Sequence, residues 1–223
     1  MKNLAAENEA VAPGRKKMKD RVTILGCANA SGSDRVKLTL VGKSKKPRCF
    51  KNISKTALHL HYMHQGSALM NSNLFSEWFH DCFVPEVKKN LKKLKLKKAI
   101  LLMVNAPAHL DVETRKVENI TYIFMPPNTT AILQPMDQGV IESMERRYRK
   151  QLLSKLLFGG DGDEEEAARS IVQFWKALTL KDCVCMVNEA WESVPEHSLK
   201  RCWRPISKME INQMTVVLSP SLN

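Results

Sequence analysis

Residues 99–109 read Ala-Ile-Leu-Leu-Met-Val-Asn-Ala-Pro-Ala-His. The first six are apolar at every position, the pattern of a strand buried on both faces of an α/β sheet. A polar residue, Asn105, closes the run, and ligands of open α/β sheets gather at the carboxyl ends of their strands. ITYIF, residues 120–124, reads as a parallel partner, joined to the first strand by a loop or short helix. Pro126, Pro127 and Pro135 exclude a long helix between 125 and 136. With Asp137 as its cap, a helix is expected next, because Val140, Met144, Tyr148, Leu152 and Leu156 recur every fourth residue.

Upstream, residues 21–27 and 35–42 predict a β-hairpin. VKLTLVG alternates apolar and polar side chains, and Asn29, Ser31, Gly32 and Ser33 supply the turn. Residues 43–73 show no clear period. From a cap at Ser72 or Asn73, a helix is expected through Leu74, Trp78 and Phe79, continuing with Val87, Leu91 and Leu94 on one face. Downstream, GGDGDEEE (159–166) reads as an acidic linker. ARSIVQFWKAL and LKDCVCMVNEAWESV read as two amphipathic helices, and the last dozen or so residues as a loose tail. The organisation expected is a basic leader (1–20), an α/β domain (21–158), the linker (159–166), and a helical appendage with tail (167–223).

The charge is concentrated. The chain carries 35 Lys and Arg against 23 Asp and Glu, a net +12 over 223 residues. Twelve of the basic residues fall within 15–51, among them Arg35, Lys37, Lys43, Lys45, Lys46, Arg48 and Lys51. Seven more, Lys88, Lys89, Lys92, Lys93, Lys95, Lys97 and Lys98, form KKNLKKLKLKK without an intervening acid. Such clusters favour polyanions through counterion release. The lysine run also fits a solvated helix face or a nuclear-import signal. The longest apolar run has six residues, far below the roughly 20 that span a bilayer. The N-terminus lacks a signal-peptide core, and six cysteines form no CxxC pair, so reduced thiols of an intracellular protein are expected.

LLMVNAPAH resembles the second catalytic segment of the DDE transposase superfamily, Tigger/pogo branch, where Leu-Asp-Asn-Ala-Pro-Ala-His or similar is usual. FMPPNTTAILQPMDQGVIESMERRYRK resembles the segment carrying that family's third Asp. The hairpin region and LKDCVCMVNEAWESV…LKRCW are similar to its early and C-terminal parts, and the jerky-like branch is the nearest in character. The resemblance implies an RNase H-like fold, sheet order 3-2-1-4-5, and in active members a Mg-dependent endonuclease. It also places the protein in the nucleus.

Two departures follow from that resemblance. Asn105 stands where the family has its second catalytic Asp, and the family's first Asp lies on a strand ahead of the early hairpin. Asp137 is then the one remnant carboxylate, with His109 beside the site in a family reading. Two-metal phosphoryl transfer needs anionic oxygen ligands. Each charge missing near 4 Å is worth roughly 4 kcal/mol at an effective dielectric of about 20. The expectation is a degenerate, inactive DDE domain, with no cofactor and Mg binding lost. Without its first, central strand the sheet is expected to leave the hairpin and the parallel pair with facing open edges, folding poorly or with a protein partner that completes it.

Other candidates are weaker. His59, His61 and His64 have no acid or cysteine at ligand spacing, so no metal site is expected. Cys183 and Cys185 point to different faces of a helix, and Trp78, Trp175 and Trp191 fit buried helix faces. Glu142 is too displaced from Asp137 to stand in for a lost ligand. The function expected is non-specific nucleic-acid binding, DNA above all, by Arg35–Lys51 and Lys88–Lys98. The alternatives are an active DDE endonuclease or a module pairing through its sheet edges.

Overall fold

A computed structural model describes residues 22–54, 57–104, 116–126, 129, 133–157, 173–207 and 214–220. Leu25, Cys27 and Ala28 are all buried, in a strand, β1 (Thr23–Asn29), that pairs antiparallel with β2 (Arg35–Gly42). A hairpin stands where the sequence predicts one, with its first strand running two residues further, through Asn29, which the sequence places in the turn. A short strand in the unassigned stretch, β3 (His61–His64), adds parallel to β2. Helix α1 (Ser72–Trp78) is capped by Asn71, whose Oδ1 accepts from Leu74 N–H at 2.9 Å. The cap thus lies one residue ahead of the expected position.

A π turn over Phe79–Phe83 joins α1 to α2 (Val84–Leu94). Pro85 has no N–H to offer the carbonyl four residues earlier, and widening the turn to an i→i−5 bond, Val84 N–H to Phe79 O, accommodates it. Val87 and Leu91 are buried and Leu94 partly so, with the lysines opposite. Strands β4 (Ala99–Met103) and β6 (Ile120–Phe124) run parallel in the register Leu101 to Tyr122, as their apolar runs predict. The two-residue β5 (Lys116–Val117) closes that edge.

The main correction concerns the centre of the sheet. Met214–Pro220, expected to be loose tail, forms strand β7. It lies between β1 and β4, giving the order β3-β2-β1-β7-β4-β6-β5. It runs antiparallel to β1, with Ala28 opposite Val217, and parallel to β4, with Leu102 opposite Val217. In the order 3-2-1-4-5, this C-terminal strand stands where the first strand would. The two facing edges are paired within the chain, so no partner strand is required there. Backbone donors and acceptors at the centre of a sheet must find partners, and β7 supplies them from the far end of the sequence.

A second correction concerns Asp137. It does not cap a helix but ends a 3-10 turn, Pro135–Asp137. Gly139 follows at φ +87, a conformation an L side chain rarely adopts. Helix α3 (Val140–Leu157) starts only after it.

The helices beyond residue 178 are a layer of the same core. Thr179 and Asp182 form a capping box at the start of α4 (Leu180–Glu192), followed by α5 (Glu196–Arg201) and α6 (Arg204–Ser207). Val184, Val187, Trp191, Leu199 and Trp203 bury against Ile24, Leu38, Leu40 and Val140. What the sequence suggests is an appendage therefore shares a core with the hairpin. The opposite sheet face packs Phe75, Trp78, Phe79 and Phe83 against Leu25, Leu101 and Tyr122. Of the three tryptophans expected on buried faces, Trp78 and Trp191 are buried, but Trp175 is 49% exposed.

Candidate nucleic-acid interface

The predicted basic residues separate into three groups. Arg35, at the start of β2, is half-buried and built into the core. Its Nη1 donates to the carbonyl of Trp191 and its Nη2 to that of Val194, and the guanidinium lies 5.6 Å from the centre of the Trp191 ring. Burial lowers its pKa, opposed by the nearby carboxylates of Glu192 and Glu196. It clamps β2 to the end of α4, with both terminal guanidinium nitrogens occupied by backbone carbonyls. Lys37 is partly buried, and its backbone N–H donates to Glu86 Oε2 at 2.7 Å.

Lys43, Lys45, Lys46, Arg48 and Lys51 are exposed on the segment after β2. Phe50, in the 3-10 turn Arg48–Phe50, anchors that segment by packing edge-on to Tyr62 at 5.2 Å. The third group belongs to α2 and its C-terminal end. Lys88 pairs with Glu118 and Lys93 with Asp34, each at 2.7 Å. Lys89, Lys92, Lys95, Lys97 and Lys98 are exposed. Lys95, at φ 55, turns the chain out of the helix and leaves Lys97 and Lys98 beyond it.

These two clusters do not merge. Lys93 reaches the hairpin turn through Asp34, whereas Lys43 follows the far end of β2. Eight residues of strand hold the two ends about 23 Å apart at 3.3 Å per residue. That is beyond a Debye length of about 8 Å at physiological salt. Each cluster acts on its own local potential, and only an extended polyanion can touch both.

Asp137 is exposed in its 3-10 turn, which packs against β7. Asn105 and His109 lie outside the described residues. A divalent cation needs several anionic oxygens. The central strand, Met-Thr-Val-Val-Leu-Ser-Pro, brings no carboxylate, and among the described residues no three His, Cys, Asp or Glu side chains gather into a possible metal site. The described residues by themselves do not supply the donor set of a two-metal centre.

Sequence reading overlooked an arginine cluster in Glu-Arg-Arg-Tyr-Arg-Lys (145–150) and Lys-Arg-Cys-Trp-Arg (200–204). Arg146, Arg201 and Arg204 come together around one cleft. The local signal was there as short basic repeats, but only the packing of α3 against the C-terminal helices joins them.

The family model for the DDE superfamily endonuclease matches residues 19–203. The chain belongs to the DDE superfamily endonuclease family. It is similar to the Jerky protein of Mus musculus, 33% identical over 205 residues, covering 91% of this chain and 34% of that protein. Tigger transposable element-derived protein 7 of Homo sapiens is 35% identical over 208 residues, covering 89% and 38%. CENP-B homolog protein 2 of Schizosaccharomyces pombe is 30% identical over 141 residues, covering 62% and 27%. The chain spans about a third of the length of these curated relatives. No solved structure matches it significantly. Its Tigger/pogo-type, jerky-like, transposase-derived character is thereby established, and the mixed α/β architecture is compatible with an RNase H-like DDE fold. No described helix is long and apolar enough to cross a membrane.

Proposed function

We propose that this DDE-family chain is a catalytically inactive nuclear protein that binds DNA without sequence preference. The carrying observation is the set of five exposed lysines, Lys89, Lys92, Lys95, Lys97 and Lys98, at the end of α2. Lys43, Lys45, Lys46, Arg48 and Lys51 provide a second, separate contact region. Exposed ammonium groups contact phosphates as point charges, which gives affinity without base readout. The same lysine run fits a nuclear-import signal.

Inactivity is supported by Asn105, which replaces an anionic ligand by an amide, and by the carboxylate-free sequence of β7. Of the two family positions read in this sequence, Asp137 alone would offer a metal an anionic oxygen. Metal-dependent nicking of supercoiled plasmid by purified protein, abolished by Asp137→Ala, would overturn this part. For binding, the test is a duplex titration at several salt concentrations. Log K is expected to fall linearly with log salt, and the charge reversal Lys89→Glu, Lys92→Glu to weaken binding at every sequence tried. A salt-independent curve would sink the electrostatic reading.

A further inference from the structure

A cleft of about 590 Å³ opens just after the turn carrying Asp137. Arg146 of α3, Arg201 of α5 and Arg204 of α6 line it, against a single carboxylate, Glu142. Three positive charges less one negative leave it at +2. A second cleft, about 740 Å³, has the opposite sign. Its Arg35 and Lys37 face Asp34, Glu86, Glu192 and Glu196, which sums to −2. An anion is therefore directed to the first.

The rest of its lining suits an anion. Ser143 Oγ accepts from Arg147 Nη1 at 2.6 Å, so its own proton is left to donate elsewhere. A Cβ at Gly139 would meet nothing within 4 Å, so that wall is open to a ligand. Cys202 donates to the Leu199 carbonyl at 2.8 Å. Burial pushes its thiol up to about 12, so it adds no negative charge at neutral pH. Guanidinium groups are planar forks that match phosphate oxygens in pairs, and Arg146 and Arg201 bring two of them from different helices, with the charge of Arg204 beside them.

We propose that Arg146 and Arg201, with the charge of Arg204 beside them, bind a backbone phosphate of a nucleic-acid strand in this cleft. The assignment rests on the nucleic-acid-binding reading and gives it a built site beside Asp137. The cleft's helices pack on the sheet face opposite α2, so its contribution can be separated from that of the lysines.

The experiment uses the full chain and the double variant Arg146→Gln, Arg201→Gln, with near-UV circular dichroism to confirm an unchanged fold. A labelled duplex is titrated at several salt concentrations. The double variant is expected to bind about tenfold more weakly, with a log–log salt slope shallower by about 1–2. Binding within about twofold of wild type, while the α2 lysine reversal still weakens it, would overturn the cleft and leave the broader reading standing. Wild-type chain that binds no duplex even at low salt would remove the broader reading and this assignment with it. Inorganic phosphate followed by 31P NMR separates the ligand's source. Broadening lost in the double variant, without duplex binding, would mark a free-phosphate site and overturn the nucleic-acid assignment.

Discussion

Arg35 donates to the carbonyl of Trp191 while its guanidinium lies 5.6 Å from the centre of that residue's ring. Gly26 lets the same indole approach, since a Cβ there would stand 3.2 Å from Trp191 Cη2. The hairpin and the end of α4 are thus fixed through one side chain that sequence reading assigned to nucleic acid. Arg35→Lys keeps the charge but loses the fork. Hydrogen bonds to charged groups contribute about 1.5–3 kcal/mol each, so denaturant unfolding should show a loss of about 2 kcal/mol. Duplex affinity at constant salt should barely change.

Replacing the central strand's hydrogen bonds has a larger effect. Val217 is paired on both sides, with Ala28 and with Leu102. Val217→Pro removes a donor and distorts a strand with no free edge, where proline is essentially never found. The expected result is loss of the cooperative thermal transition and of the near-UV signal, with much helical signal kept. A melt like wild type would show that β7 does not close the sheet.

Alkaline pH should destabilise the fold. Burial raises the thiols of Cys27, Cys82 and Cys202 above their ordinary value of 9, the last two to about 12. In the unfolded chain these thiols ionise near their ordinary value, whereas the folded chain holds them neutral. The unfolded state then binds fewer protons, so stability falls as pH rises. The melting temperature should be flat up to about pH 8.5 and drop between there and about 12. Replacing Cys82 by Ala should flatten part of that drop.

Restoring one carboxylate should not restore chemistry. Asn105→Asp supplies an acid where the proposed reading has a lost ligand, but β7 still carries none. Plasmid nicking with Mg or Mn should stay at background in this variant. Nicking that appears and then vanishes on adding Asp137→Ala would mean a third ligand comes from elsewhere in the chain.

The capping box of α4 offers a local check. Thr179→Ala removes the acceptor for Asp182 N–H and the hydroxyl that donates to Asp182 Oδ2 at 2.5 Å. That hydroxyl is also the main cause of the lowered Asp182 pKa. Loss of about 1 kcal/mol is expected in urea unfolding, and an acid titration of Asp182 followed by NMR should move up.

The sequence by itself determined those elements whose signal is local. The hairpin declared itself by alternation and turn residues, β4 and β6 by runs apolar throughout, and α2 by Val87, Leu91 and Leu94 at helical spacing. The family motifs around Asn105 and Asp137 were equally legible, because they are contiguous. Tertiary structure decided the rest. Four-residue β3 is too short to show a period, and Gly139, not Asp137, sets where α3 begins. Arg35 looks like any exposed basic residue until Trp191 arrives from 156 positions away. The arginine cleft likewise exists only where α3 meets α5 and α6. Met214–Pro220 has no distinguishing pattern, and Pro220 pairs with Leu25 from the other end of the chain. What places it is the unmet hydrogen-bonding of β1 and β4, a demand created by the folded sheet and invisible in any window of sequence.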